Sequence, residues 1–260
     1  MKKTSQKTNI IRIKKGLKEK LTDFIAIEAA LTIFINGTEL VTLLCTPGDF
    51  KALAVGYLYS EGFINKITDI KGLGFRKNNL VYIRTEHPVD FNKEVFLKRV
   101  LASGCGKAAV FYSEADSGSY KTIKNNVQVP VPQILEQIKE LGQKGVLYKK
   151  TGAVHIAALS DTQKILILKE DIGRHNAVDK VLGQALIDKK RLNKRMILTS
   201  GRITSEIVRK TLRHQIPILV SPSAPTDLAL RLAQDFGLTL IGFARGSRLN
   251  VYTHPQRVVL

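Results

Sequence analysis

The stretch M-I-L-T-S-G-R-I-T-S-E-I-V-R-K-T-L-R-H-Q-I-P-I-L-V, Met196–Val220, decides the fold. Its ends, Met196–Thr199 and Ile216–Val220, are short apolar runs of strand length, and Thr204–Arg213 between them reads as a helix. A strand, a crossover helix and a second strand make a βαβ unit. The same alternation continues on both sides. Towards the C-terminus it gives a helix over Thr226–Phe236 and a strand over Thr239–Phe243. Towards the N-terminus it gives a helix from Val131 to Leu141, strands over Gly152–Leu159 and Ile165–Lys169, and a helix over His175–Ile187. The expectation is a mostly parallel sheet covered by helices on both faces.

The earlier part of the chain has a different grammar. Leu31–Ile35 and Glu39–Leu44 flank Asn36-Gly37, a dipeptide that tolerates the positive φ of a tight hairpin turn. Next comes T-P-G-D, Thr46–Asp49, which offers an N-cap threonine, a first-turn proline and an early acid to a helix from about Pro47 to Glu61, closed by Gly62. Short strands around Lys77-Asn78-Asn79 continue to about Leu101, and the polar run Ser113–Asn126 separates this unit from the next. The expected organisation is a basic arm over residues 1–22, a small α+β domain over 23–119 and an α/β domain over 120–260.

Of the 260 residues, 44% are hydrophobic and 24% charged, the balance of a folded chain rather than a disordered one. The longest apolar run, near Ala52–Tyr59, is far below the roughly 20 residues that span a bilayer, and the lysine-rich start leads into no signal-like apolar block. A cytoplasmic, membrane-free protein is expected. Two cysteines, Cys45 and Cys105, can build neither a disulfide framework nor a four-cysteine zinc site. Lys and Arg outnumber Asp and Glu by 41 to 22, so the net charge of +19 should attract phosphate-rich ligands. Part of the excess lies in a solvated start carrying Lys2, Lys3, Lys7, Arg12, Lys14, Lys15, Lys18 and Lys20.

Cys105 stands in A-S-G-C-G-K-A, Ala102–Ala108, between two glycines and ahead of Lys107. A neighbouring ammonium favours the thiolate, the form that attacks sulfur; the alternative is a small residue beside tight-turn glycines. Cys45 closes the apolar strand V-T-L-L-C and is read as a small hydrophobe. In the second unit E-D-I-G-R-H-N, Glu170–Asn176, joins a strand to a helix, and T-G-A-V-H, Thr151–His155, runs into a strand. Both could border one site, or Asp171 or Asn176 could cap a helix and His155 be a satisfied strand residue. Thr199–Arg202 and Ser221–Thr226 also place small polar residues where strands hand over to helices, the edge at which open α/β sheets bind ligands. Last, F-A-R-G-S-R, Phe243–Arg248, sets two arginines around a glycine behind an aromatic ring, which suits a planar base with a phosphate or, equally, an ordinary surface loop.

Six strings stand in order along the chain: T-P-G-D-F-K-A-L-A-V-G-Y-L-Y-S-E-G, S-G-C-G-K, T-G-A-V-H-x-A-A, E-D-I-G-R-H-N-A-V-D-K, S-G-R-I-T-S-E-I-V-x-K and F-A-R-G-S-R-x-N-V-Y-T. Together they resemble the formate dehydrogenase accessory sulfurtransferase (FdhD/NarQ) family. The resemblance implies an α/β fold, a cytidine-deaminase-like three-layer α/β/α domain preceded by the smaller α+β domain, and a homodimer. It implies a sulfur carrier that takes sulfur from a cysteine desulfurase and passes it to molybdenum bis(molybdopterin guanine dinucleotide), serving formate dehydrogenase. Cys105 would be the catalytic residue, holding a persulfide. The cofactor, a bound substrate, would lie on Phe243, Ala244, Arg245, Gly246, Ser247 and Arg248, with Ser200, Arg202 and Ser221 along the strand edge. Many relatives carry C-x-x-C where this chain has Ala102-Ser103-Gly104-Cys105, so Cys105 must act alone. A zinc-dependent base deaminase, suggested by the fold, is disfavoured because His155 is followed by Ile156-Ala157 and no P-C-x-x-C occurs. No metal is expected. The other alternative is a non-enzymatic module for the cofactor or, less in keeping, for nucleic acid.

Overall fold

A computed structural model describes residues 3–86 and 120–260. The loop of Cys105 and Lys107 lies outside the described residues.

The chain opens with β1 (Ser5–Lys14) and β2 (Leu17–Ala26), an antiparallel ribbon turned at Lys15-Gly16, whose φ values of 50° and 80° are those a two-residue hairpin turn needs. The basic start, expected as a solvated arm over residues 1–22, is a strand pair that runs on to Ala26. Its outer half is solvent-exposed, and its base rests on the α/β domain, where the Lys150 ammonium lies 3.8 Å from the centre of the Phe24 ring.

The small domain pairs β3 (Ala29–Ile35), β4 (Thr38–Cys45), β5 (Ile70–Arg76) and β6 (Leu80–Thr85) in the order β4-β3-β6-β5. The β3–β4 turn is Asn36-Gly37, both at positive φ, as the dipeptide predicts. One face of this sheet, with Leu31, Ile33, Ile35, Val81 and Ile83, packs on α1 (Phe50–Ser60). The helix starts three residues later than the T-P-G-D signature implies. Gly48 and Asp49 take φ of 101° and 52°, which turns the chain before the helix begins and sends Thr46 elsewhere. Its C-terminal end follows expectation: Gly62 sits at φ 86°, and the Gly62 and Phe63 amides reach back to the Tyr59 and Leu58 carbonyls.

The second domain carries β7 (Val129–Pro130), α2 (Val131–Lys144), α3 (Val146–Thr151), β8 (His155–Ser160), β9 (Ile165–Asp171), α4 (Arg174–Ile187), β10 (Met196–Thr199), α5 (Ser205–Arg213), β11 (Ile218–Val220), α6 (Asp227–Asp235), β12 (Thr239–Arg245), β13 (Arg248–Thr253) and β14 (Val258–Val259). Six of the strands form one sheet in the order β13-β12-β11-β10-β8-β9. The sheet is mixed rather than mostly parallel. β10, β11 and β12 run parallel through the crossover helices, whereas β8 pairs antiparallel with both β9 and β10, and β13 antiparallel with β12. The cause is local: β8 reaches β9 through a tight turn closed by the Asp161 amide on the Lys164 carbonyl, and a link that short joins only antiparallel neighbours.

Alternate side chains of the sheet feed two cores. Ala157, Leu159, Ile197, Leu219 and Leu240 face α4, α5 and α6, while Ile156, Ala158, Met196, Leu198, Ile218 and Val220 face α2. The result is a three-layer α/β/α domain. α1 is apolar all round because it is covered twice, by its own sheet and by α4. The two helices meet at glycines. A Cβ on Gly56 would stand 1.9 Å from the Asp179 carbonyl oxygen, and one on Gly183 would stand 1.9 Å from that of Ala52. Among the described residues no helix is long and apolar enough to cross a membrane.

Candidate functional site

Because β10, β11 and β12 are parallel, their carboxyl ends lie on one edge of the sheet, and antiparallel β8 brings its first residue to the same edge. His155 is paired in register with Asp171 at the end of β9, and its Nδ1 lies 3.3 Å from Ser200 Oγ, just past β10. The Ser200 hydroxyl also accepts the Ile156 amide at 3.0 Å, locking the crossing after β10 to the start of β8. The backbone closes at Gly201: a Cβ there would stand 3.0 Å from Arg174 Cβ and 3.6 Å from His155 Nδ1, so glycine lets the arginine stem and the imidazole lie against the chain.

Two helices begin here. α4 starts at Arg174 behind Gly173, and α5 starts at Ser205 behind Thr204; neither N-terminus has a side-chain cap. His175 Nε2 donates to Glu206 Oε2 at 3.0 Å and ties the two starts together. Burial alone would raise the Glu206 carboxyl, but the hydrogen bond from His175, with the positive groups around it, holds it below the usual carboxylate range. His155 is pushed below the ordinary imidazole value, first by burial and then by the charges of Arg174, His175 and Arg202. Three side-chain atoms in this cluster, Arg174 Nε, His175 Nδ1 and Thr204 Oγ1, are buried with no hydrogen-bond partner.

The next crossings continue the edge. Ser221 is fully buried; its hydroxyl donates to the Gly201 carbonyl at 2.7 Å and accepts the Ser223 amide at 3.0 Å, so it braces two neighbouring loops. Phe243 interrupts β12 at φ 50°, where the register with β13 slips, and the Phe243 and Ala244 amides bond back to the Ser223 and Ser221 carbonyls. The chain then re-pairs at Arg245 and Arg248 around Gly246-Ser247, setting two exposed guanidinium side chains opposite each other across a hairpin. Like charges placed so repel unless an anion joins them.

The structure thus gathers Ser200, Arg202, Ser221 and the segment Phe243–Arg248 along one edge. They differ in what they offer. Arg202, Arg245, Gly246, Ser247 and Arg248 are exposed and Phe243 is half-buried, while Ala244 packs into the core below α2. Cys45 is fully buried at the end of β4, its thiol donating to the Ala29 carbonyl, the small hydrophobe expected of it. Cys105 lies outside the described residues. His155, Arg174 and His175 stand in motifs the sequence singles out, though without ligand roles; Glu206 had no signal beyond its place in S-G-R-I-T-S-E. Among the described residues no group of three or more metal-ligating side chains occurs.

The same motif E-D-I-G-R-H-N also builds the joint between the domains. Asp171 Oδ2 accepts the Thr46 amide and pairs with Lys180 Nζ at 2.7 Å, while its Oδ1 accepts the Gly173 amide and the Asn176 side chain. Thr46 returns the contact, its hydroxyl accepting the Ile172 amide and its carbonyl the Lys180 ammonium. Asn176 donates to the Leu44 carbonyl at 2.8 Å. Asp171 and Asn176 therefore hold the small domain on the large one, and neither caps a helix.

The family model of the FdhD/NarQ family matches residues 26–259. The chain belongs to the FdhD/NarQ family. It is 38% identical over 251 residues to the sulfur carrier protein FdhD of Bacillus subtilis (strain 168), covering 96% of each chain. Against the protein of the same name from Bacillus pumilus (strain SAFR-032) the identity is 39% over 238 residues, 91% of each. The fold matches the crystal structure of a formate dehydrogenase accessory protein from Desulfotalea psychrophila with a TM-score of 0.81 and 26% identity, over 99% of this chain and 100% of that one.

Proposed function

We propose that this chain is a sulfur carrier that takes sulfur from a cysteine desulfurase onto Cys105 and delivers it to molybdenum bis(molybdopterin guanine dinucleotide) for formate dehydrogenase. The observation that carries the reading is the family match over residues 26–259, with relatives named as sulfur carrier proteins and a structural neighbour named as a formate dehydrogenase accessory protein. The burial of Cys45 supports it further. Of the two cysteines in the chain, the one on β4 is out of reach of any donor, which leaves Cys105 to carry sulfur. In the loading step the Cys105 thiolate attacks the outer sulfur of the desulfurase persulfide. A new S–S bond forms on Cys105, and the desulfurase cysteine leaves as its thiolate.

The cofactor's guanine dinucleotide ends are assigned to Phe243–Arg248 and the neighbouring edge at Ser200 and Arg202. The facing pair Arg245 and Arg248 supports this, because forked guanidinium groups set opposite each other suit a phosphate between them. A homodimer is part of the proposal.

Three experiments test it. Intact-mass spectrometry after incubation with a desulfurase and free cysteine should show one added sulfur, absent in Cys105→Ala. Cys105→Ala should abolish activation of the partner formate dehydrogenase while Cys45→Ala keeps most of it; equal loss in both overturns the assignment. Replacing Arg245 and Arg248 together by alanine should weaken guanosine diphosphate binding by about two orders of magnitude, given the usual worth of charge-assisted phosphate contacts, with sulfur loading of Cys105 intact.

A further inference from the structure

The cluster where α4 and α5 begin has an excess of positive charge that its own acids do not neutralise. Asp171 is committed to Lys180 on the other side of the motif, and Glu206 to His175. Arg174 and Arg202 make no ion pair with any described residue, yet both are close enough to His155 to depress its titration, as is His175. Two helix starts without side-chain caps add their free amides to the same place. Arg174 Nε, His175 Nδ1 and Thr204 Oγ1 are sealed from solvent without partners. Buried polar atoms in that state are costly, and they gather where a ligand completes their hydrogen bonds.

We propose that these groups form a binding site for a phosphate-type oxyanion, with Arg174 and Arg202 as the charged donors, Thr204 and the amides opening α5 as neutral donors, and His155 and His175 flanking them. A cation is repelled by the guanidinium charges of Arg174 and Arg202, which no described carboxylate pairs. An uncharged ring finds no Phe, Tyr or Trp among these residues to stack on. An oxyanion of two or more oxygens satisfies every feature together: it joins two guanidinium forks, fits helix N-termini and accepts from a hydroxyl. Gly201 matters because it is the backbone against which the Arg174 stem is laid. The site is distinct from Arg245 and Arg248, though hydrogen bonds run from one to the other through Gly201, Ser221 and Ala244. Arg202 is shared with the cofactor edge proposed above, whereas Arg174, Thr204 and the two histidines are not, and the inference does not depend on sulfur transfer.

Isothermal titration of the full chain with inorganic pyrophosphate tests it, on the wild type, on Arg174→Gln with Arg202→Gln, on Arg174→Lys, and on Arg245→Ala with Arg248→Ala. Saturable binding by the wild type should fall by about tenfold or more for each arginine lost to glutamine, partly return with lysine at 174, and persist in the Arg245/Arg248 variant. A parallel titration with guanosine diphosphate identifies the source of the anion. A matching fall means the site holds the diphosphate of a nucleotide, and an unchanged affinity means it takes a free phosphate; both support an oxyanion site. Absence of saturable pyrophosphate binding in the wild type, equal affinity in the Arg174/Arg202 variant, or loss confined to the Arg245/Arg248 variant would each overturn it. Sulfur loading of Cys105, read by intact mass, is unaffected by any of these results, so the two readings fail separately.

Discussion

One heptapeptide, Glu170–Asn176, faces two ways, and its two faces are built on opposite rules. Towards the small domain, and towards α3 of its own domain, the two carboxylates and the Asn176 amide are paired. Glu170 accepts the Leu147 and Tyr148 amides at the start of α3, Asp171 uses both oxygens, and Asn176 bonds to the Leu44 carbonyl. Towards the carboxyl edge, Arg174 and His175, three and four residues after Asp171, leave buried nitrogens unpartnered. The difference teaches where this molecule stores stability and where it keeps capacity to bind. Polar groups that are fully paired fix one arrangement, whereas unpaired ones of a single charge sign are a cost the fold bears for a ligand. The joint has a second part with the same character. Lys210 bonds to Asp179 at 2.9 Å and Glu61 at 3.0 Å; burial works against its charge, but the two carboxylates outweigh it and hold its pKa above the ordinary lysine value.

The largest effect should come from breaking the joint. Asp171→Ala leaves the Lys180 ammonium, 1% exposed, without its carboxylate, together with orphaned amides of Thr46 and Gly173. Removing one partner of a buried pair costs about 3–5 kcal/mol, a large share of the roughly 5–15 kcal/mol that keeps a domain folded. Urea or thermal denaturation should therefore show a protein near the limit of folding. Asp171→Leu combined with Lys180→Met should be less damaged than the sum of the single variants, because no charge is then left buried. Strict additivity would break the comparison at its strong end.

A smaller effect, and one that depends on pH, belongs to His214 at the end of α5. Its ring packs on Tyr59 of α1 at 4.2 Å between centroids, with neither nitrogen hydrogen-bonded, and burial first, then the Lys210 and Arg213 charges, push its pKa down to about 3. An unfolded histidine titrates near 6.5, so the folded state favours the neutral ring. The contribution to stability is whole above about pH 6.5 and is lost as the pH falls towards 3, by roughly 2 kcal/mol between about pH 7.5 and pH 5. In His214→Phe the stability curve should be flatter over that range, measured as the difference from wild type in denaturant midpoint at each pH. Parallel curves would mean that His214 titrates alike in the folded and unfolded chain, so that the joint does not favour the neutral ring.

How much of this was legible follows from the range of the interactions. The Asn36-Gly37 hairpin and the strand–helix–strand run Met196–Val220 are set by neighbours in sequence and stand where the residues place them. The N-terminal ribbon was hidden because its lysines outweigh the alternation and the Lys15-Gly16 turn signal. Thr46 carries a helix-cap signature that is overruled by Asp171, 125 positions away in sequence. At the site, sequence marks E-D-I-G-R-H-N as polar chemistry at a strand end but cannot divide it. Asp171 and Arg174 are near in sequence yet point to different partners, and only the pairing of β8 with β9 and β10 sends His155 and Arg174 to the same edge.

The smallest change in stability should come from the face that binds. Arg174 makes no ion pair with any described residue, so Arg174→Gln removes no salt bridge and relieves a buried, unpartnered Nε. The shift in denaturant midpoint should stay within about 0.5 kcal/mol, the range of substitutions that touch no structural contact, with any trend towards greater stability. Three residues away, Asp171→Ala should cost several times more. The same variant gives an independent reading of the edge. The Arg174 charge is one of the causes that depress His155, so its removal should move the His155 imidazole titration upward, followed by NMR of the ring protons. The move should be partial, because burial is the larger cause and Arg202 and His175 remain. A destabilisation as large as that of Asp171→Ala, with His155 unmoved, would mean that Arg174 belongs to the joint, and the division of the heptapeptide into a paired face and an unpaired one would fail.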